Sequence, residues 1–331
     1  MNNFVHLNCH SNFSLLFGGS SIEELVSRCA ELEMGALALT DRDGLYGAVR
    51  FFEAAEEAGI KPIVGCDLEV GRGTRLILIA ENDEGYRNLC RSVTESRLGG
   101  SPLSFDRLVD YSDGLFALLG DPGSLEEARA VFPDHLYAEL ANTGTRESHR
   151  EADALIGTAR RLGVPCVASN RVAFAGPGDY QLHRTLSAIR TIRPVTRIPP
   201  VEVADEGCHL KPPAEMEKLF SAYPYSEAPE AIPNTGEIAG ACDFRFNLGG
   251  RLFPAADLPP GETAFSYLTK LCFEGTARRY RPLPADALER LHMELKTIES
   301  LGFTPYFLVV HDIAKFCRER GIPAAGRGSA A

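Results

Sequence analysis

Residues 36–65 read ALALTDRDGLYGAVRFFEAAEEAGIKPIVG. Two short apolar runs, ALALT (36–40) and IKPIVG (60–65), flank a stretch of helical periodicity over 47–58, with glycines as punctuation. A strand, a helix and a second strand within about thirty residues is the unit of a parallel α/β sheet. The same unit recurs on either side. FVHLNCH (4–10) precedes a helix at 21–34, RLILIA (75–80) one at 83–95, and GLFALL (114–119) one at 123–131. LYAEL (136–140) precedes a helix at 146–162, and PCVAS (165–169) one at 177–190. Six or more such units in series predict a parallel α/β sheet or barrel. Ser20 and Ser21 before Glu23 and Glu24 place oxygen acceptors and negative charge at a helix start, and Gly35 and Gly59 are expected to end their helices.

After residue 193 the character changes. RPVTRIPPVEVADEG (193–207) is proline-rich and aperiodic, and reads as a linker or an excursion. Helical patterns follow at 212–220, 228–241, 263–280, 284–301 and 305–319, interrupted by RLFPAADLPPGE (251–262). The end, GIPAAGRGSAA (321–331), has the look of a turn about to open another element, so the chain is expected to be cut from a longer one.

The 331 residues are 44% hydrophobic, enough for one large core or two smaller ones. With 34 Lys and Arg against 45 Asp and Glu the net charge is -11, the opposite of the basic footprint of a self-sufficient nucleic-acid binder. No apolar run approaches the roughly 20 residues of a membrane span, and MNNFVHLNCH lacks the layout of a signal peptide, so a cytoplasmic protein with no membrane contact is expected. The nine cysteines are scattered singly with no C-x-x-C pair, which reads as reduced thiols.

In a parallel barrel, functional groups gather where the strands finish. The first predicted strand ends His6-Leu7-Asn8-Cys9-His10, and period-two geometry puts His6, Asn8 and His10 on one face. The second ends Thr40-Asp41-Arg42-Asp43, the third leads to Asp67, a later one carries Glu139, and another ends Asn170-Arg171-Val172-Ala173. The histidines also read as strand-end groups hydrogen-bonded within the barrel, Asp41 and Asp67 as structural carboxylates, and His183 and His209 as helix-surface or loop residues. Cys9 beside His10 suggests a Cys-His nucleophile, but neighbours on a strand face opposite ways.

These strand ends, with GIKPIVGCDLEV (59–70), LILIAENDEGYRNL (76–89), YFLVVHDIAKFCRERGI (306–322) and GRGSAA (326–331), resemble the N-terminal part of bacterial C-family DNA polymerases, which are DNA polymerase III alpha-like. Ser11-Asn12-Phe13-Ser14, TLSAIRTIRPV (185–195) and Val310-His311-Asp312-Ile313 look more like the error-prone, translesion branch than the replicative one. The resemblance implies a distorted (β/α)7 barrel of the polymerase-and-histidinol-phosphatase (PHP) type over residues 1–250, with an excursion near 193–215. A mainly helical region leading into the polymerase palm, and broken off within it, would occupy 251–331.

It also implies a metal site and its loss. Active family members bind metals through His-x-His on the first strand, Asp-His on the second and Asp-x-His on a late one. At the corresponding positions stand Asn8, His10, Asp41, Arg42, Arg171 and Ala173, and Phe17 replaces a customary aspartate. Guanidinium groups have no lone pair to give a metal, so Arg42 and Arg171 are expected to take its electrostatic place among Asp41, Asp67 and Glu139. No metal or cofactor is expected in this chain, and none of its residues is assigned a catalytic role. Gly326, Arg327, Gly328 and Ser329 would form half of a nucleotide-phosphate site.

The full-length polymerase would use Mg2+, DNA and deoxynucleoside triphosphates in replication and repair, with a proofreading exonuclease or translesion accessory subunits as possible partners. The barrel would serve as a scaffold. The alternatives are an independent metal-dependent phosphoesterase or 3′–5′ exonuclease of the PHP superfamily using His6, His10, Asp41, Asp67 and Glu139, and a purely structural module.

Overall fold

A computed structural model describes residues 4–71, 73–249 and 253–326, and divides into two compact units, Met1–Phe246 and Asn247–Ala331. In the first, α1 (Ile22–Glu31), β1 (Ala36–Leu39), α2 (Ala48–Glu57), β2 (Lys61–Val70), β3 (Thr74–Ala80) and α3 (Asp83–Leu98) follow in order. Then come α4 (Phe105–Leu108), β4 (Leu115–Leu119), α5 (Leu125–Val131), β5 (Leu136–Ala141), α6 (Arg146–Leu162), β6 (Cys166–Ser169), α7 (Tyr180–Thr191), α8 (Pro213–Phe220) and α9 (Ala231–Ala241). The second unit holds α10 (Ala264–Arg279), α11 (Ala285–Ser300) and α12 (Thr304–Glu319), packed around Leu268, Leu295 and Leu308.

The strands form one sheet in the order β1-β2-β3-β4-β5-β6. Its two ends meet at residues 4–10. On one side the Ala38 and Thr40 N–H groups donate to the carbonyls of His6 (3.0 Å) and Cys9 (2.8 Å). On the other, His10 donates to Val172 and Val172 to Asn8, both at 2.9 Å. A regular parallel ladder would step from His6 to Asn8 opposite Thr40; the step to Cys9 instead is a one-residue slip, which makes the closing strand irregular and the barrel distorted.

The sheet is mixed rather than parallel throughout. RLILIA does not open another parallel unit: β2 runs on to Val70, reverses where Gly71 and Gly73 take φ of +59° and +98°, and returns as β3, antiparallel to both β2 and β4. Two glycines two residues apart permit this left-handed turn. The remaining pairs, β1 with β2, β4 with β5 and β5 with β6, are parallel.

Side-chain alternation sorts the core into two layers. One face of the strands, with Leu37, Leu39, Leu76, Leu78, Ala117 and Leu140, packs against helix residues such as Leu25, Phe51, Leu89 and Leu155. The other face, with Leu7, Ala38, Ile63, Ile79, Leu118 and Val167, fills the barrel. Helix α9 closes one end of that interior with Ile238, Ala239 and Cys242. Two hydrogen bonds hold it there: Asn234 Nδ2 donates to the Cys166 carbonyl (2.8 Å), and the Val5 N–H donates to Thr235 Oγ1 (3.0 Å).

Local signals act as their chemistry dictates. Ser21 and Glu24 form a reciprocal capping box at the start of α1. That helix ends at Glu31, however, with Glu33 rather than Gly35 at positive φ, whereas Gly59 does end α2 in the left-handed region. The proline-rich stretch is an excursion and not a linker. After short 3-10 turns at Val195–Arg197 and Pro200–Glu202 it returns to the barrel, where Ala173 donates to Cys208 (2.8 Å) and Asn170 Nδ2 to His209 (2.6 Å).

The loop that crowns the first strand is held by a close approach. A Cβ on Gly18 would lie 1.8 Å from the Ser11 carbonyl oxygen. Gly18→Ala is expected to cost about 2 kcal/mol or more, since backbone must move to admit the methyl group; urea unfolding of the variant measures it, and a loss near zero would contradict this packing.

Candidate functional site

The inward row of β2 reads Ile63, Gly65, Asp67, passing from the apolar interior to a carboxylate three residues before the strand ends. Asp67 and Glu139 line the mouth, a cleft of about 920 Å³, together with Asn8, His10 and Phe17. Five arginines, at 42, 75, 150, 171 and 190, reach the same cleft.

Asp67 is buried and faces three cations or potential cations. Arg75 Nε donates to Oδ1 at 2.9 Å, Arg42 Nε lies 3.5 Å from Oδ2, and His10 Nε2 is 3.7 Å away. Arg75 also donates to the Asp67 carbonyl and to Asp43 (3.1 Å), so one guanidinium ties β2, β3 and the loop after β1 together. The Arg42 guanidinium lies over the Phe17 ring, 3.4 Å from its centroid. Burial lowers the Arg42 pKa to about 10, Asp67 opposing, and the side chain stays charged at neutral pH. Burial, with the Arg42 and Arg75 charges, pushes His10 well below its ordinary range, so it is neutral.

Glu139 is engaged on both oxygens. Asn8 Nδ2 donates to Oε1 at 2.7 Å, and Arg171 Nε stands 3.7 Å from Oε2. Burial works against the Arg171 charge, but Glu139 and Glu151 more than offset it and its pKa rises. Arg171 is held at φ +49°, a conformation that L side chains seldom adopt.

Several expected positions fall elsewhere. Asp41 is not among the cleft's lining residues; it accepts from the Ser11 N–H (2.7 Å), Ser11 Oγ (2.8 Å) and Ser14 Oγ (2.6 Å). Hydroxyls rather than arginines therefore answer its charge. Burial raises its pKa, and the serine hydrogen bonds work in the other direction. His6 lies away from the mouth, its Nε2 3.0 Å from the Lys211 carbonyl, with burial lowering its pKa to about 4. Ala173 offers only backbone, accepting from Gly19 and donating to Cys208. His183 is buried rather than on a helix surface, and main-chain groups of Phe17 and Ala204 engage both its nitrogens. Cys9 packs in the core, where burial drives its thiol pKa well up, and is no nucleophile. Gly326 is exposed, and Arg327, Gly328 and Ser329 lie outside the described residues.

Sequence reading missed Arg75. Its signal was the glycine pair at 71 and 73: a hairpin there sets Arg75 opposite Glu69, one diagonal step from Asp67.

The donor set does not fit a divalent metal. A metal of this class needs several unprotonated nitrogens and free carboxylate oxygens converging on one point. Arg75 and Asn8 each take one oxygen of Asp67 and Glu139, the Arg42 and Arg171 charges stand 3.5 and 3.7 Å from the other two, and among the described residues no three His, Cys, Asp or Glu side chains are grouped to hold an ion.

Comparison with known proteins agrees with the geometry. The PHP domain profile matches residues 6–165, and that of the bacterial DNA polymerase III alpha NTPase domain matches residues 266–331. The PHP match thus covers the barrel from the closing strand to the residue before β6. An error-prone DNA polymerase of Symbiobacterium thermophilum is 36% identical over 99% of this chain and 33% of its own length. One from Mycobacterium tuberculosis is 35% identical over 99% and 33%, and the DNA polymerase III subunit alpha of Pseudomonas aeruginosa 35% over 99% and 31%. The chain is similar over 99% of its length to these bacterial error-prone DNA polymerases and DNA polymerase III alpha subunits, and spans about a third of the length of the curated relatives it matches.

Two outcomes follow from the blocked donor set. Purified without a histidine tag and dialysed against manganese and zinc, the protein is expected to retain a negligible amount of either by elemental analysis; two or three ions per chain would refute the assignment. Arg75→Met is expected to lower stability by about 2 kcal/mol in urea unfolding, less than for a wholly buried pair because the Arg75 side chain is 31% exposed. The double variant Arg75→Met/Asp67→Asn should regain most of that loss.

Proposed function

We propose that the chain is the N-terminal part of a DNA-directed DNA polymerase of the error-prone, translesion type, acting in DNA replication and repair in the cytoplasm. In this reading the PHP barrel is a scaffold whose metal site has lapsed, and the region from about residue 251 begins the polymerase palm. The observation that carries it is the order of the matches, a PHP domain at 6–165 and then a polymerase III alpha domain at 266–331, in a chain that aligns with such polymerases over 99% of its length.

DNA and deoxynucleoside triphosphates are the full-length protein's ligands. Mg2+ supplies the charge that phosphoryl transfer needs there, held by palm carboxylates that this chain does not contribute. The barrel serves as a scaffold and presents a surface to a proofreading exonuclease or to translesion accessory subunits. A net charge of -11 suits protein partners better than a direct grip on DNA. The Gly326-Arg327-Gly328-Ser329 sequence takes part of the incoming triphosphate. A metal-dependent phosphoesterase working from the barrel mouth is disfavoured by the cations and amide that occupy its carboxylates.

Primer extension tests the proposal. The 331-residue chain alone is expected to incorporate no nucleotide on a primed template with Mg2+, whereas a polypeptide of the relatives' full length carrying this sequence extends the primer. Incorporation by the short chain, or none by the long one, would overturn it.

A further inference from the structure

Helix α7 and the turn after it carry charge and apolar surface that the fold does not use. Residues 181–203, which include TLSAIRTIRPV, hold four arginines and one glutamate in a chain whose net charge is -11. Two of the arginines are engaged locally: Arg184 donates to the Val195 carbonyl (3.2 Å), and Arg190 pairs with Glu202 (2.7 Å). Arg193 and Arg197 are exposed, and their guanidinium groups have no ion pair or hydrogen bond among the described residues.

An apolar stripe runs up to these two cations. Leu182 and Ile189 lie seven residues apart on the face of α7 away from the buried His183, Ser187 and Ala188, and Ile192 follows at the helix end. They are 51%, 57% and 92% exposed, and neither they nor Arg193 and Arg197 line the cleft at the barrel mouth. Ile192 is in the left-handed region at φ +53°, where its N–H donates to the Ile189 carbonyl (3.2 Å) and the Arg193 N–H to the Ala188 carbonyl (3.0 Å). Glycine is the usual residue at that point of a helix end, and a β-branched side chain there is strained. The isoleucine gains no burial in return. Its side chain burdens the free chain, and a bound partner is what would bury it.

We propose that the outer face of α7, with Arg193 and Arg197 at its end, is a docking surface for an amphipathic helix of a partner protein, apolar along one side and acidic beside it. The inference rests on the scaffold reading of the barrel and gives that role a surface. At about 1.5 Å per residue the 12 residues of α7 offer a track for roughly three turns of a partner helix. The partner's aliphatic side chains cover Leu182, Ile189 and Ile192, and its carboxylates answer Arg193 and Arg197. Charge fixes the partner's sign, because the rest of the chain is more acidic than the whole and repels an acidic helix everywhere but here. The apolar stripe favours a protein over a nucleic acid, whose phosphates would engage the arginines and leave the aliphatic side chains bare.

Fluorescence anisotropy of the 331-residue chain with a labelled synthetic helix of about 18 residues, leucine on one face and glutamate on the others, forms the test. A version with lysine for glutamate and a single-stranded oligonucleotide are the comparators. The glutamate helix should bind more tightly than either, and its affinity should fall as sodium chloride is raised. Arg193→Glu/Arg197→Glu should weaken it about tenfold or more. Asparagine tolerates the left-handed region, so Ile192→Asn should melt at or above the wild-type temperature while binding falls about fivefold. No binding of the glutamate helix, equal binding by the double arginine variant, tighter binding of the oligonucleotide, or a lower melting temperature with unchanged binding in Ile192→Asn overturns the proposal. The readout needs no polymerase activity, so its failure is distinct from a failed primer extension.

Discussion

The pairing of Asp67 with Arg75 governs the barrel mouth. Asp67 is a buried carboxylate at the end of an otherwise apolar row, and an unpaired charge there would be costly. Arg75 answers it from the neighbouring strand and reaches Asp43 as well, so a single guanidinium pins the β2-β3 hairpin to the loop after β1. Arg42 then needs only to approach, and its planar face is free to stack on Phe17.

That division of labour explains why the mouth can be both filled and open. The closing strand, residues 4–10, carries Asn8 and His10 into the cleft while its alternate residues Leu7 and Cys9 go to apolar surroundings. The slip opposite Thr40 loosens the ladder where the strand meets the loop, and the Ser11–Gly18 turn recovers order there by enclosing Asp41 in serine hydrogen bonds. Two carboxylates that stand near each other in sequence logic are thereby kept apart in chemistry, one served by hydroxyls and one by cations.

Much of this was legible in the chain. The helix from Ala48 to Glu57, its flanking strands, and the convergence of Asn8, His10, Asp67, Glu139 and Arg171 follow from periodicity and from the rule that strand ends gather. What escaped was direction rather than position. Nothing in RLILIA distinguishes a parallel strand from an antiparallel one, and only the turn before it does. Asp41 precedes Arg42 in a strand-end motif, yet its carboxylate goes where Ser11 and Ser14 happen to offer hydroxyls, a choice set by a loop conformation that no periodicity encodes. His6 shares the parity of Asn8 and His10, but its ring is claimed by the Lys211 main chain, some two hundred residues away in sequence.

A mouth built on arginine behaves differently from one built on a metal. A metal centre binds protons in competition with its ion and comes apart when the ion is withdrawn, so its structure depends on pH and on supply. Guanidinium charges are permanent across the physiological range, and even the lowered pKa of about 10 at Arg42 leaves it cationic. The barrel mouth therefore keeps its charge balance in any cellular metal state. That constancy comes from the side chains alone, because the guanidiniums that balance the mouth are carried by the barrel's own strand ends and loops.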